Sequence, residues 1–144
     1  MHYVIYVSQA DKPMDAAELE SLLAFSRAKN TEKGITGILI YRYSRDAGSG
    51  HFIQMLEGDE REVRALYEKI SHDKRHHTVM LLGEGEIAGR MFSEWAMGFK
   101  NVDDTLFAGL PGHARIGEAS FDPAAFQHSN DEALKLLKFF HDAP

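Results

Sequence analysis

The chain has 144 residues, 44% of them hydrophobic, which suits one domain with a core of its own. Its formal net charge of −6 argues against a general binder of nucleic acid or of anionic membrane surfaces, and no nucleic-acid-reading motif stands out. Cysteine is absent, so disulfides, thiolate zinc sites and a cysteine nucleophile are excluded, a composition that fits a reducing, cytoplasmic setting.

The first strand is expected from about His2 to Ser8, with Val4, Tyr6 and Ser8 on one face and Tyr3, Ile5 and Val7 on the other. No basic segment precedes an apolar run, so neither a signal peptide nor a membrane span is expected. Tyr6 puts a polar tip on a strand that is otherwise apolar, and a carbonyl partner is the plainest explanation of it. Pro13 and Asp15 open a helix, and Asp15 with Glu18 has the form of a capping box. Leu19, Leu22, Leu23 and Ser26 fall on one stripe of that helix, which is expected to run out near Lys29 and Asn30 before Gly34. The run Gly34–Tyr41 reads as a second strand, covered on both faces, in which Gly37 marks a close approach of another backbone or of a ligand. Arg42 to Gly50 is polar and glycine-containing and is expected to be an exposed hairpin loop.

The third strand, His51–Gly58, lies at the centre of the sequence. Phe52, Gln54 and Leu56 share one of its faces. Gln54 therefore carries two donors and two acceptor lone pairs into an apolar setting, and leaving them unpaired costs about 1–3 kcal/mol. Backbone, another side chain or a polar ligand must meet it. Asp59 and Glu62 repeat the capping pattern for a second helix with Val63, Leu66, Tyr67 and Ile70 along its apolar stripe. That helix ends in Ser71-His72-Asp73-Lys74-Arg75-His76-His77; a solvated helix end with cations near the negative end of the dipole explains these histidines, and no metal site is expected. Thr78–Leu82 is expected as a fourth strand and Phe92–Phe99 as a fifth, with Trp95, Met97 and Phe99 on one side. Past Asn101 the composition loosens around Pro111, Gly112 and Gly117, with room for a short helix. Ser129 and Glu132 then open a last helix whose Leu134, Leu136, Leu137, Phe139 and Phe140 demand a docking surface.

The order predicts an α+β, ferredoxin-like βαββαββ sandwich. Its five-stranded mixed sheet carries two helices on one face and the C-terminal helices on the other. The cleft between the two helices is the natural place for a ligand. Neither G-x-G-x-x-G nor G-x-x-x-x-G-K-[ST] occurs, so no glycine-rich loop holds a phosphate, and no nucleophile elbow or Ser/His/Asp order points to hydrolysis. The loop after the first strand, Gln9–Pro13, also lacks the arginine by which ferredoxin-like acylphosphatases bind phosphate.

Five stretches in order carry a resemblance: Tyr6-Val7-Ser8; Asn30 before Gly34-Ile35-Thr36-Gly37; Phe52-Ile53-Gln54-Met55-Leu56-Glu57-Gly58; Asp73-Lys74-Arg75-His76-His77; and Arg90-Met91-Phe92-Ser93-Glu94-Trp95-Ala96-Met97. Together they resemble the BLUF domain, a blue-light sensor that binds FAD, over roughly residues 1–100, with 101–144 as a C-terminal helical extension packing on the sheet. The ending is similar to that of the short, stand-alone members. The resemblance implies that Tyr6 is the phenol beside the flavin, that Gln54 bridges it to the ring, and that Asn30 bonds the polar edge of the ring. It implies Leu22 and Ile70 on the ring faces, Ser8 and Ser26 in the pocket, and Asp73 and Arg75 toward the ribityl and phosphate end. Trp95 and Met97 stand where the family places the pair that responds to light. Lys29 occupies a position where relatives often carry Asn or His over the flavin, and a lysine there can snorkel to a phosphate or to solvent.

The function so implied is a photoreceptor and not an enzyme. Electron and proton transfer from Tyr6 and back would leave Gln54 rotated or tautomerised, and the fifth strand and C-terminal helices would pass the change to a partner protein in trans or to a homo-oligomer. The alternatives are a light-insensitive ferredoxin-like interaction module and a small flavin redox enzyme. Retention of both Tyr6 and Gln54 argues against the first, and the lack of a nicotinamide site or substrate acid/base group against the second.

Overall fold

Near-continuous apolar runs build a sheet whose central strands are buried on both faces. The computed structural model describes residues 1–44, 48–93, 97–101, 109–111, 114–115, 120–122, 124–127 and 130–142. Strand β1 (His2–Ala10) leads into helix α1 (Ala16–Lys33), strands β2 (Thr36–Ser44) and β3 (Ser49–Gly58), helix α2 (Glu60–Ser71) and strand β4 (His76–Glu86). A short strand β5 (Gly98–Asn101) and two C-terminal helices, α3 (Ala124–Gln127) and α4 (Asn130–Asp142), follow. The four long strands pair antiparallel, and β5 joins β2 in parallel, giving the order β4-β1-β3-β2-β5. The central pair, β1 and β3, is in register so that Tyr6 lies directly opposite Gln54. On the other side of β3, Gln54 lies opposite Leu39 of β2. Three strands therefore present Tyr6, Gln54 and Leu39 as one row.

Strand alternation sorts the interior into two cores. Val4, Leu39, Phe52 and Leu56 pack with Leu19 and Leu23 of α1, Val63 of α2, and Met97. Tyr3, Ile5, Val7, Ile38, Ile40, Ile53 and Met55 pack on the opposite face with Leu82, Phe92, Phe126, Ala133, Leu136 and Leu137, so the C-terminal helices cover that side. Among the described residues no helix is long and apolar enough to cross a membrane.

The helix ends follow the capping chemistry. The Asp15 side chain accepts from the Glu18 backbone N–H at 2.8 Å, and the Glu18 carboxylate returns to the Asp15 N–H. Helix α1 runs one turn past Asn30, because Gly34 closes it in the left-handed conformation at φ 68° and donates to the Asn30 and Thr31 carbonyls. Asp59 caps α2 by accepting from the Arg61 and Glu62 N–H groups. Gly37 is the close approach foreseen: a Cβ there would lie 1.9 Å from the Met55 carbonyl oxygen, so the neighbour is backbone.

Three expectations are overturned. His76 and His77 do not belong to a helix end: α2 stops at Ser71, and β4 runs from His76 to Glu86 rather than from Thr78 to Leu82, because pairing with β1 takes in both flanks. Arg42 does not begin an exposed loop; it is buried, and β2 continues to Ser44 while β3 restarts at Ser49. The fifth strand does not begin at Phe92. The backbone N–H groups of Met91 and Phe92 donate to the Glu57 carboxylate, at 2.7–2.9 Å, and so are not available to a neighbouring strand. The chain turns at Ser93 and pairs only from Gly98. Met97 thus precedes the strand, and Trp95 lies outside the described residues. The final helix begins at Asn130; Ser129, its expected opener, also lies outside them.

Candidate functional site

A cleft opens between α1 and α2 over the sheet. Its walls are apolar: Leu22 from α1, Leu66 and Ile70 from α2, and Leu39 and Phe52 from the sheet. Polar and charged groups line it too. Ser26 and Asn30 come from α1, four residues apart and so on one helix face, while Tyr6 and Gln54 come from the floor. Tyr6, Asn30 and Gln54 are all buried, at 2%, 2% and 4% exposure.

The floor is a chain of three contacts. The Tyr6 hydroxyl donates to Gln54 Oε1. That bond orients the amide, and Gln54 Nε2 then points at Met97 Sδ, 3.3 Å away. A thioether is a weak acceptor, so the donor side of this buried amide is poorly matched by protein. Met97 is itself tied to α1, its carbonyl accepting from Arg27 Nε at 3.0 Å. Burial pushes the Tyr6 phenol well above its ordinary pKa; Tyr67 and Asp73 push it the same way, and Arg75 opposes them. Tyr6 is enclosed by Tyr67 and His76, with ring centroids 5.6 and 6.1 Å away.

His76 orders the rim. Its Nε2 lies 2.5 Å from the Ile70 carbonyl oxygen and its Nδ1 2.7 Å from Ser8 Oγ. The carbonyl can only accept, so Nε2 carries a proton and donates to it, while Nδ1 bonds the Ser8 hydroxyl. Ser8 therefore stands behind His76 and does not line the cleft. Asp73 and Arg75 form a forked pair at the mouth, with Arg75 Nε at 2.9 and 3.1 Å from the two carboxylate oxygens. This hydrogen bonding holds the Asp73 carboxyl below the usual range. Lys29 is exposed at the mouth, 6.0 Å from the centre of the Phe25 ring.

Of the residues singled out from sequence, Tyr6, Leu22, Ser26, Lys29, Asn30, Gln54, Ile70, Asp73 and Arg75 all border this one cleft, and Met97 reaches it through Gln54. Sequence reasoning missed Phe25, Lys33, Leu39, Phe52, Leu66, Lys69 and His76 as lining residues. Leu39 is found only through the β2–β3 register, whereas Leu66 is four residues before Ile70 on the same helical stripe and was open to detection. It also missed Glu57, fully buried, as the group that fixes the approach to Met97. Among the described residues no cluster of His, Asp or Glu is arranged to hold a metal.

The cleft suits a planar, largely uncharged heterocycle: apolar faces, polar groups at its edges, and a buried amide whose donors lack a good protein acceptor. The family model described as sensors of blue-light using FAD, BLUF, matches residues 1–98. Photoactivated adenylate cyclase subunit alpha of Euglena gracilis is 30% identical over 103 residues, which make up 70% of this chain and 10% of that protein. The chain thus spans a small part of such curated relatives. Among solved structures, BlsA in its photo-activated state superposes with a TM-score of 0.73 at 26% identity, over 99% of this chain and 96% of that one. BlrB, a BLUF protein in its dark state, gives 0.65 at 29% identity, over 93% and 96%. A cleft of this make-up under a Tyr–Gln floor, and a family match across two-thirds of its length, place this chain in the BLUF family of blue-light sensors.

Proposed function

We propose that this chain is a blue-light photoreceptor that holds FAD non-covalently between α1 and α2 and signals by rearranging the contacts of Gln54. The observation that carries the reading is the position of the Gln54 amide, clasped by the Tyr6 hydroxyl on one side and by the Met97 sulfur on the other. Leu22 and Ile70 would cover the faces of the ring, Asn30 and Gln54 would bond its edge, and Asp73 and Arg75 would border its tail. Bound flavin supplies absorption of blue light and, once excited, a strong oxidant.

The protein's own part concerns one proton and one amide. Burial disfavours the Tyr6 phenolate, so Tyr6 cannot lose its proton alone; loss of an electron and of the proton are coupled, and the proton's path is the bond to Gln54 Oε1. An amide that turns over presents Nε2 to Tyr6 and Oε1 to Met97. The sulfur then faces an acceptor where it had a donor, and Met97 loses its reason to stay. One hydrogen bond is worth about 0.5–1.5 kcal/mol net, enough to bias a two-state element several-fold. Met97 leads directly into β5, so β5 and the C-terminal helices are the element that moves. Residues 1–100 act as the sensor and 101–144 as the relay. The listener is a protein effector in trans or a further copy of the chain, in the cytoplasm, with no turnover.

The test is spectroscopic. The purified protein is expected to be yellow and to shift its absorption reversibly to the red under blue light. Tyr6→Phe and Gln54→Ala are expected to keep flavin and lose the shift; a normal photocycle in either variant refutes the switch. A colourless protein that cannot be loaded with flavin would point to an interaction module, and bleaching by NAD(P)H to a redox enzyme.

A further inference from the structure

Met97 is held by two bonds that differ in kind. Gln54 Nε2 meets its Sδ at 3.3 Å, and Arg27 Nε donates to its carbonyl oxygen at 3.0 Å. A thioether accepts weakly, whereas a guanidinium N–H facing a carbonyl makes a charge-assisted bond. Arg27 stands on α1, four residues after Leu23 and three before Asn30, both of them buried. It is exposed and does not line the cleft. Among the described residues it has no carboxylate partner, and the Met97 carbonyl takes its one hydrogen bond. What it holds is the start of a weak element. Strand β5 has four residues and is paired along one edge only, in parallel with Ile38–Tyr41 of β2.

We propose that Arg27 is a positioning residue that sets the threshold of the switch, tying the residue before β5 to α1 until the Gln54 contact is lost. The inference rests on the Gln54 switch above and adds to it the group that opposes release. Met97 cannot carry β5 with it without drawing its carbonyl off Arg27 Nε. A turned amide biases the segment several-fold toward release, and the Arg27 bond resists with a bias of similar size. The bond belongs to the dark arrangement, so its re-formation drives the return. Arg27 is exposed on a helix, so its replacement by another good helix former takes little from the fold.

Two substitutions separate the bond from the stem and the charge. Arg27→Met keeps a long unbranched stem and loses the donor. Arg27→Gln hangs an amide nitrogen on Cδ, where arginine carries Nε, and so keeps the donor without the charge. Two measurements on the 144-residue chain read the effect: dark recovery of the FAD-loaded protein after blue light, and amide hydrogen exchange of Gly98–Asn101 in darkness, with and without flavin. Arg27→Met is expected to slow recovery about fivefold and to speed exchange in β5 by a like factor, as loss of one such bond allows, with the red shift itself unchanged. Arg27→Gln should restore most of both. Recovery and exchange in Arg27→Met that match the unaltered chain overturn the assignment to Arg27 and leave the Gln54 switch standing. Arg27→Gln behaving as Arg27→Met does overturns the bond as the cause. Absence of a red shift in the unaltered chain overturns the Gln54 switch and the threshold built on it.

Discussion

Glu57→Gln should loosen the segment that delivers Met97 to the cleft without touching the cleft itself. Both Glu57 oxygens receive the Met91 N–H, at 2.9 and 2.8 Å, and Oε1 also receives the Phe92 N–H at 2.7 Å. Arg90 holds the same corner by donating to Thr36 Oγ1, to the Glu57 carbonyl and to the Gly34 carbonyl. An amide oxygen in the place of Oε1 still accepts from both N–H groups, but without the charge, and its NH₂ replaces Oε2 in front of the Met91 N–H. One charge-assisted bond, about 1.5–3 kcal/mol, is lost. The gain is relief from burying a charge, the same burial that raises the Glu57 pKa. The balance is a loss of about 2 kcal/mol, or roughly 7 °C in Tm for a chain of this size, with flavin held at saturation in both proteins. The sign of the pH dependence follows. A carboxylate whose folded pKa is raised gives most stability below its ordinary range and loses it as the pH rises through the folded value. The deficit of the variant, which has no such proton, therefore widens as the pH is lowered through that range. Thermal unfolding over a pH series reads both effects, and dark recovery after blue light reads the freedom of Met97. An unchanged Tm together with unchanged recovery would refute the role given to Glu57, and a deficit that narrows in acid would refute the raised pKa.

Gly37→Ala is expected to prevent folding, because its methyl would meet the Met55 carbonyl oxygen within β2 and β3; soluble protein with an unaltered circular dichroism spectrum would contradict the packing. In alkaline titration Tyr6 and Tyr67 are expected to keep their protons past the ordinary phenol value of about 10, because burial raises both. A raised folded pKa means that stability falls as the pH climbs beyond the ordinary value, and simultaneous ionisation of all five tyrosines near that value in the folded protein would refute it.

The parts legible in the sequence were those set by local pattern. Alternation along β1 already placed Tyr6 opposite in facing to Ile5 and Val7, and the Asp15/Glu18 spacing announced the start of α1. The capping carboxylates and the glycine at 37 carry their physics in single residues. What stayed hidden depended on pairing between distant segments. That Tyr6 meets Gln54 was implied only by the family resemblance, because the register that pairs them leaves no local signal. The misreading of Phe92–Phe99 as a strand has the same origin: its apolar residues have strand character, but a carboxylate thirty-odd residues earlier takes up the backbone donors that a strand would use. Arg42 was misjudged because composition suggested solvent, whereas strand pairing with His51 carried it inward.

The reading of β5 as the moving element gains most from the way one strand holds both ends of the segment before it. Gln54 and Glu57 are three residues apart on β3, an odd spacing, so they emerge on opposite faces of the sheet. Gln54 touches Met97 on the face toward α1 and α2, and Glu57 holds Met91 and Phe92, whose side chains pack with the core beneath the C-terminal helices. Phe92 thus lies in one core and Met97 in the other. On the proposed switch, a turn of the Gln54 amide would loosen only the Met97 end, while Phe92 packs among Leu110, Phe126 and Leu137. Strain released at one end of a segment clamped at the other has to appear in the clamp or in β5, and both adjoin the C-terminal part of the chain. Were both grips on one face, a rotating amide would rearrange the cleft and leave the far side of the sheet unaware of it.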